Sequence, residues 1–184
     1  MSMSQARQDE FAMALIDKGT FIDVGCYLPI KDNNTKRLED NGWTGLAFDI
    51  VNYSSQWEDR KTKFIRCDVL KCDWGVMLHW FDDIIDYLSL DIDSGSAVAL
   101  KRITDVKEFK VITVEHDVYK PGNLTLEAEP QRKLLKSLGY QMVAKNVRHD
   151  TRPFEDWWIN PKYIYTDLYL ENVHCNEVIR GVCR

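Results

Sequence analysis

The sequence lacks the features of secreted and membrane-spanning proteins. Its 184 residues include five cysteines, an odd number that does not indicate a disulfide framework. The opening segment MSMSQARQDEF has no apolar core of the kind that secretory signals carry. No stretch approaches the run of about 18 apolar residues that a membrane-spanning helix needs. We therefore expect free thiols in a reducing cytoplasm and no membrane partner.

An excess of positive charge is also missing. The 24 Lys and Arg residues are outnumbered by 29 Asp and Glu residues, and the formal net charge is -5. Non-specific affinity for nucleic acid comes mainly from Lys and Arg that neutralise phosphates. The basic residues of the C-terminal third alternate with acids such as Glu155 and Asp156, which indicates a mixed solvated face. We expect a small-molecule substrate and no nucleic acid.

Repeats, low-complexity tracts and linkers are absent, which predicts a single domain over residues 1–184. Hydrophobic residues make up 45% of the chain, enough for one sizeable core. We expect a leading helix within residues 1–18 and a C-terminal tail at 171–184. The tail either packs on the sheet or contacts another subunit, and the oligomeric state stays open.

Strand-like and helix-like segments alternate through the first three quarters of the chain. Short apolar runs predict strands at 20–24, 45–50, 63–67, 87–92 and 111–114. Apolar stripes with turn signals predict helices at 5–17, 32–41, 97–103 and 129–138. Such alternation is typical of an α/β protein with a parallel sheet.

The pattern changes after Gly139. Two strand-like runs, Tyr140–Ala144 and Tyr163–Leu170, are separated by the aromatic segment Phe154–Trp158, and they predict an antiparallel hairpin at one sheet edge. Trp157 and Trp158 either wall a substrate pocket or complete the core.

Acidic residues follow the predicted strands, and ligands of open parallel sheets bind at the carboxyl ends of strands. Asp23 and Gly25 close the first strand, and a glycine without a Cβ lets a ligand approach the backbone. Tyr27 stands where a dinucleotide-binding motif has its second glycine, which disfavours a dinucleotide. Asp49, 24 positions after Gly25, is suited to the two hydroxyls of a ribose, and Asp68 to the exocyclic amine of an adenine. Any one of these acids could instead cap a helix or face water.

The segment GTFIDVGCYLPIKDNNTKRLEDNGWTGLAFDI resembles the opening of FkbM-type S-adenosylmethionine-dependent methyltransferases. DYLSLDID resembles their fourth-strand motif, and VITVEHDVY, PQRKLLKSLGYQMVAKNV and PFEDWW resemble their C-terminal half. The resemblance extends from about residue 19 to about residue 165. Three positions depart from the pattern: Cys26 replaces a small Ala, Asp49 stands where Glu is frequent, and Ser94 interrupts an acid followed by Gly-Gly.

The resemblance implies a Rossmann-like class I methyltransferase sheet, mostly parallel with an antiparallel late strand and helices on both faces. It implies S-adenosylmethionine as cofactor and O-methylation of a hydroxyl on a sugar or another small natural product. The cofactor-binding residues that it implies are Asp23, Gly25 and Tyr27 at the methionine part with Asn34 and Thr35 nearby, Asp49 at the ribose, Asp68 at the adenine, and Asp91 at the same site.

Catalytic candidates lie at the ends of the fourth and fifth strands. Methyl transfer from a sulfonium requires that an acceptor oxygen be aligned with the methyl group and lose its proton. His116 is the preferred general base, because an imidazole with a pKa near about 6.5 is largely neutral at pH 7 and a carboxylate such as Glu115 can orient it. Asp91 is the second choice. Glu115 or His116 could instead be a buried, hydrogen-bonded strut.

The sequence leaves three alternatives open. Asp91, Asp93 and His116 could bind Mg or Mn, since alternation in a strand directs both aspartates to one face. Asp91-x-Asp93 also occurs as the metal and sugar-nucleotide motif of some glycosyltransferases. Ser94 is compatible with a non-catalytic, methyltransferase-like binding module.

Overall fold

The computed structural model describes residues 3–183, which form one eight-stranded sheet with helices on both faces. The strands are β1 (Thr20–Val24), β2 (Thr44–Asp49), β3 (Lys63–Arg66), β4 (Ile84–Leu90), β5 (Glu108–Glu115), β6 (Gln141–Arg148), β7 (Pro153–Ile159) and β8 (Leu170–Glu171). Their order across the sheet is β3-β2-β1-β4-β5-β7-β6-β8. All neighbouring pairs are parallel except those that involve β7, which runs antiparallel to both β5 and β6. The predicted α/β sheet, mostly parallel with one reversed late strand, is confirmed.

The predicted hairpin has a different second strand. β6 pairs with the aromatic segment Pro153–Ile159, whereas residues 163–169 form a turn and an unpaired extended segment. The strand was missed because β7 lies between two other strands and is covered on both faces, so nearly every residue is buried and the polar–apolar alternation disappears. Trp157 and Trp158 project into the two opposite cores and are fully buried, so both complete the core.

Among the described residues, six α-helices flank the sheet: α1 (Gln8–Leu15), α2 (Lys36–Asp40), α3 (Trp74–Met77), α4 (Ser96–Thr104), α5 (Glu129–Ser137) and α6 (Cys175–Val182). One core cluster joins α1, α2 and α6 to one face of the sheet, and a second joins α3, α4 and α5 to the other. A π-helical turn, Leu124–Ala128, precedes α5. Within residues 3–183, no helix is long and apolar enough to cross a bilayer.

The first and the last described helices, α1 and α6, both pack on this sheet. α1 occupies the middle of the predicted leading segment, whose residues 1 and 2 lie outside the described part. The predicted tail pairs through β8 with β6, and Val178 and Ile179 of α6 are buried in the same cluster as Phe11 of α1. Of the two possibilities for the tail, the structure shows packing on the sheet.

Two segments differ from the bounds that their patterns predict: one helix begins later, and one strand ends earlier. The helix expected at 32–41 starts only at Lys36, because the Asn33 side chain accepts hydrogen bonds from the backbone of Thr35 and Lys36 and holds an open loop. β4 ends at Leu90, so Asp91 and Asp93 lie in the following loop. Asp93 has a positive φ of 59°, and strand alternation therefore does not decide where the two aspartates point.

Candidate active site

A cavity of about 730 Å³ opens at the carboxyl ends of β1, β2, β3 and β4. β2 and β3 lie on one side of β1, and β4 lies on its other side. The order in which strands are added to the sheet therefore reverses at β1, and such a switch point leaves a crevice. Eight sequence-predicted residues line it: Asp23, Gly25, Tyr27, Asn34, Asp49, Asp68, Asp91 and Asp93. Thr35, Glu115 and His116 are not among the lining residues.

Asp49 is held rigidly at the end of β2. One carboxylate oxygen accepts the backbone N–H of Tyr27 at 3.0 Å, and the other accepts the backbone N–H of Val51 at 2.8 Å. Each carboxylate oxygen has a second lone-pair position, so both can still accept a hydroxyl hydrogen from the cavity. The side chain is therefore preorganised to accept two neighbouring hydroxyl groups.

Gly25 lines the cavity, but the reason for a glycine differs from the predicted one. Its φ is +82°, and a Cβ at this position would lie 1.6 Å from the backbone oxygen of Asp91. The missing Cβ thus makes room for the chain that leaves β4, which brings Asp91 to the cavity wall. Ligand access to the Gly25 backbone is a secondary consequence.

Asp23, Asn34 and Thr35 form a polar group beneath the loop after β1. The Thr35 hydroxyl donates to Asp23 at 2.7 Å, and Thr35 is fully buried. Thr35 therefore positions Asp23 and is not among the residues that line the cavity, although the resemblance implies that it lies near the methionine part of the cofactor. Burial raises the pKa of Asp23 to about 6, and the hydrogen bond from Thr35 opposes this rise. Asn34 donates to Ser89 at 2.9 Å, while its buried Oδ1 accepts no hydrogen bond from the described residues. This polar group next to the cavity therefore contains one buried acceptor without a donor among the described residues.

The far end of the cavity is more apolar. Ile50 and Val51 follow Asp49 directly and are 62% and 49% exposed, and Val69 and Leu70 follow Asp68. None of these apolar residues is among the predicted site residues. An apolar residue directly after a strand-end acid is a local signal that could have identified them. Asp68 itself pairs with Lys71 at 2.8 Å, which lowers the pKa of Asp68. This end is suited to a flat ring with one polar edge.

Tyr27 and Tyr53 form the outer rim. Their rings contact edge to face with centroids 5.4 Å apart, and Tyr27 has a positive φ of 49°. Gln5, from the segment before α1, also lines the cavity and was not predicted. No local pattern marks Gln5, since only the packing of α1 on the sheet brings it there.

Asp91 and Glu115 are coupled through a hydrogen bond between their carboxyl groups. Burial and the neighbouring Asp91 carboxylate together raise the pKa of Glu115 to about 11, and burial also raises the pKa of Asp91. Glu115 therefore carries the shared proton and donates it to Asp91. Asp91 is the member of the pair that lines the cavity.

His116 does not meet the requirements of a general base. Its side chain is 0% exposed; Nδ1 accepts the backbone N–H of Val118 at 3.3 Å, and Nε2 lies 3.1 Å from Asp156. Arg132 binds the same Asp156 carboxylate through Nε at 2.7 Å and Nη2 at 3.0 Å. Both imidazole nitrogens are occupied away from the cavity. The prediction of His116 as base is wrong. β5 ends at Glu115, and His116, the next residue, is held against β7, where the Phe154 carbonyl accepts its backbone N–H at 2.7 Å.

The predicted metal set of Asp91, Asp93 and His116 is separated for the same reason. The buried His116 side chain contacts Asp156 of β7, whereas Asp91 and Asp93 line the cavity. These three side chains therefore form no common ligand set in the described part of the chain.

The sequence matches no protein-family model and no curated protein. Several solved structures are similar in fold. The O-methyltransferase from Bacillus cereus, in complex with SAH, has a TM-score of 0.63 at 10% identity over 87% of this chain and 82% of its own. The SAH-bound Podospora anserina methyltransferase PaMTH1 has a TM-score of 0.59 at 12% identity over 84% and 77%. TrmK from M. capricolum, in complex with S-adenosyl-homocysteine, has a TM-score of 0.53 at 18% identity over 92% and 71%.

The chain has the Rossmann-like fold of class I methyltransferases. At these levels of identity the likeness concerns the fold. What the site does must be argued from its own residues.

Proposed function

We propose that this protein is an S-adenosylmethionine-dependent methyltransferase. The observation that carries the proposal is Asp49, a carboxylate fixed by two backbone N–H groups at the edge of a strand-end cavity, with free lone pairs for two ribose hydroxyls. The solved structures of similar fold named above are complexes with SAH, the product of such a cofactor, which supports the same choice of ligand.

The rest of the cavity matches the parts of this cofactor on either side of the ribose. The adenine would lie between the apolar residues after β2 and β3, with its exocyclic amine toward Asp68. The methionine part would extend over Gly25, where the acceptor-only Oδ1 of Asn34 can receive its ammonium group. Asp23 adds a second acceptor beneath it. The cofactor supplies the methyl group, and these residues bind and orient it.

The acceptor atom that we propose is a hydroxyl oxygen of a sugar or another small natural product, as in the FkbM-type enzymes that the sequence resembles. Asp91 lies at the cavity wall next to the methionine end and is the candidate general base. Glu115 acts through Asp91 as a positioning residue, because its hydrogen bond fixes the orientation of that carboxylate. Removal of the hydroxyl proton is the part of the reaction for which a base is needed.

Calorimetric titration with S-adenosylhomocysteine tests the cofactor. Wild type should bind, and Asp49→Ala should weaken binding by roughly tenfold to a hundredfold, since each lost hydrogen bond to a ribose hydroxyl contributes about 1 kcal/mol. Asp105→Ala, an exposed carboxylate at the end of α4, is the matched control and should bind like wild type. Absence of binding by the folded wild-type protein would contradict the proposal, and binding of a nucleotide sugar with Mn²⁺ instead would favour the glycosyltransferase alternative.

A second candidate function is a methyltransferase-like binding module. No histidine is among the described residues that line the cavity, so the proposed base, Asp91, is a carboxylate hydrogen-bonded to another carboxyl group. A screen of hydroxyl acceptors for formation of S-adenosylhomocysteine separates the two. Turnover that Asp91→Asn abolishes supports the enzyme, whereas cofactor binding without turnover on any acceptor supports the module.

A further inference from the structure

A second groove, of about 420 Å³, lies at the edge of the sheet opposite to the cavity. The cavity opens at the carboxyl end of β4, whereas this groove includes Ile84, where β4 begins, and Glu108, where β5 begins. Its apolar lining consists of Ile84, Val106 and Tyr163, and all three residues are exposed. The groove therefore presents apolar surface to water within the described part of the chain.

Trp80 stands beside this groove and is surrounded by solvent. It is 84% exposed, whereas the other five tryptophans are at most 3% exposed. The Phe81 carbonyl accepts a hydrogen bond from Lys107 Nζ at 2.8 Å, and Lys107 lines the groove. Trp80 also precedes the lining residue Asp83 by three positions, which span at most about 11 Å. Tryptophan is a frequent anchor of protein interfaces, so an exposed indole next to an apolar groove indicates an interaction surface.

The charges at the groove are balanced, in contrast to those of the whole chain. Three acids line it, and each has a lysine partner: Asp83 pairs with Lys107 at 3.5 Å, Asp105 with Lys101 at 2.7 Å and Glu108 with Lys162 at 3.0 Å. The formal net charge of the chain is -5, so two copies repel each other on average. At this face, the acids of one copy can pair with the lysines of another copy. The charge pattern of the face is therefore complementary to itself.

We propose that this face binds a second copy of the chain in a twofold-symmetric dimer, in which Trp80 of each copy enters the groove of the other. A projecting side chain and a groove that lie side by side on one face meet twice under a twofold axis, so the contact closes on itself. Ile84, Val106 and Tyr163 surround the indole in this dimer, and the lysine–acid pairs form a polar rim.

The dimer leaves the proposed cofactor site free. The cavity lies at the carboxyl ends of the strands, and the groove lies where β4 and β5 begin. The two sites are therefore at opposite edges of the sheet. Dimerisation and cofactor binding can be measured separately, and the dimer does not depend on the proposed methyltransferase function.

Sedimentation equilibrium of the full-length protein tests the dimer. Wild type should dimerise with a dissociation constant in roughly the micromolar range or below. Trp80→Ala should raise this constant at least about a hundredfold, because each dimer loses two interface anchors. Ile84→Glu should also raise it, because it places a carboxylate in the apolar groove. Leu126→Ala removes an exposed apolar side chain outside the groove and is the control, which should dimerise like wild type.

Acrylamide quenching of the tryptophan fluorescence provides a second readout, because Trp80 is far more exposed than the other five tryptophans. Quenching of wild type should increase when the protein is diluted below its dissociation constant, and quenching of Ile84→Glu should not change with dilution. An equimolar mixture of Trp80→Ala and Ile84→Glu should form more dimer than either variant alone. Their heterodimer restores one contact between Trp80 and an unmodified groove, whereas neither variant forms this contact with itself.

The proposal is overturned if folded wild type is monomeric at roughly 100 µM, a concentration well above the micromolar range. It is also overturned if Trp80→Ala dimerises as tightly as wild type, or if the mixture of the two variants contains no more dimer than the separate samples. Thermal melts establish that each variant is folded. Titration with S-adenosylhomocysteine separates these outcomes from failure of the cofactor proposal, since Trp80→Ala should bind this ligand like wild type.

Discussion

Replacement of His116 by alanine should lower the stability of the protein and leave its cofactor binding intact. In the structure, His116 fills a fully buried position, donates from Nε2 to Asp156 and accepts the Val118 N–H. Alanine removes both hydrogen bonds and leaves Asp156 bound to Arg132 with one donor fewer.

The magnitude follows from these contacts. Asp156 loses one hydrogen-bond partner and the half-buried Val118 N–H loses its acceptor. At roughly 1–2 kcal/mol each, these two losses amount to roughly 3 kcal/mol. For a chain of this size, 1 kcal/mol corresponds to roughly 2–4 °C in the melting temperature, so the midpoint should fall by roughly 6–12 °C. The same substitution at the exposed His149 should change the midpoint by less than about 2 °C.

Thermal melts and S-adenosylhomocysteine titrations of both variants provide the assay. Modification of the wild-type protein with diethylpyrocarbonate, read by mass spectrometry, is a second and independent measurement. The exposed His79 and His149 should react quickly, and His116 should react only when the protein unfolds. A His116→Ala protein that melts like wild type, or rapid modification of His116 in the folded state, would refute this reasoning and return His116 to the candidates for general base.

Three further substitutions test separate parts of the structure. Gly25→Ala should destabilise the protein strongly and abolish S-adenosylhomocysteine binding, because the added Cβ would lie 1.6 Å from a backbone oxygen. Gly139→Ala is the control: its φ is similarly positive but the space around it is open, so it should cost only about 1–2 kcal/mol in thermal unfolding. Equal effects of the two substitutions would contradict the steric argument. The pKa of Glu155 is raised to about 8, mainly by burial, so the folded state loses stability as the pH rises from about 4.5 to about 8. Glu155→Gln should therefore gain up to a few kcal/mol over wild type across that interval in urea denaturation, since a pKa change of one corresponds to about 1.4 kcal/mol, and a constant difference would count against the shift. Arg60→Ala should cost roughly 3–5 kcal/mol, because it removes the ion-pair partner of the buried Glu39 carboxylate. Lys101→Ala removes an exposed ion pair and should cost less than about 1 kcal/mol. Similar losses for the two variants in urea denaturation would disprove the distinction.

Local patterns in the chain predicted the parallel part of the sheet correctly. β1, β2 and β3 follow short apolar runs that end at turn signals, and each structural bound lies within one residue of its prediction. Strand periodicity and glycine-rich turns act over a few residues, so they can be read without knowledge of what packs against them. The strand-end acids Asp23 and Asp49 were found in the same way, and both line the cavity.

The reversed strand β7 could not be recognised from its own residues. Its aromatic run PFEDWWI is buried on both faces, and that burial results from pairing with β5 on one side and β6 on the other. The partners are distant in sequence. A segment of this composition is equally compatible with a loop that covers the core.

The end of β5 shows most clearly which properties of the site follow from the sequence and which depend on the tertiary structure. The motif Glu115-His116-Asp117 shows by itself that titratable groups follow a buried strand at the edge where ligands bind. It does not show which of them faces the cavity. Asp117 has a positive φ of 46°, and the contacts of His116 with Asp156 and of Glu115 with Asp91 depend on β7 and on the loop after β4. The residue types that can carry the chemistry are a local property of the chain, whereas the direction of each side chain depends on long-range packing that only the folded structure decides.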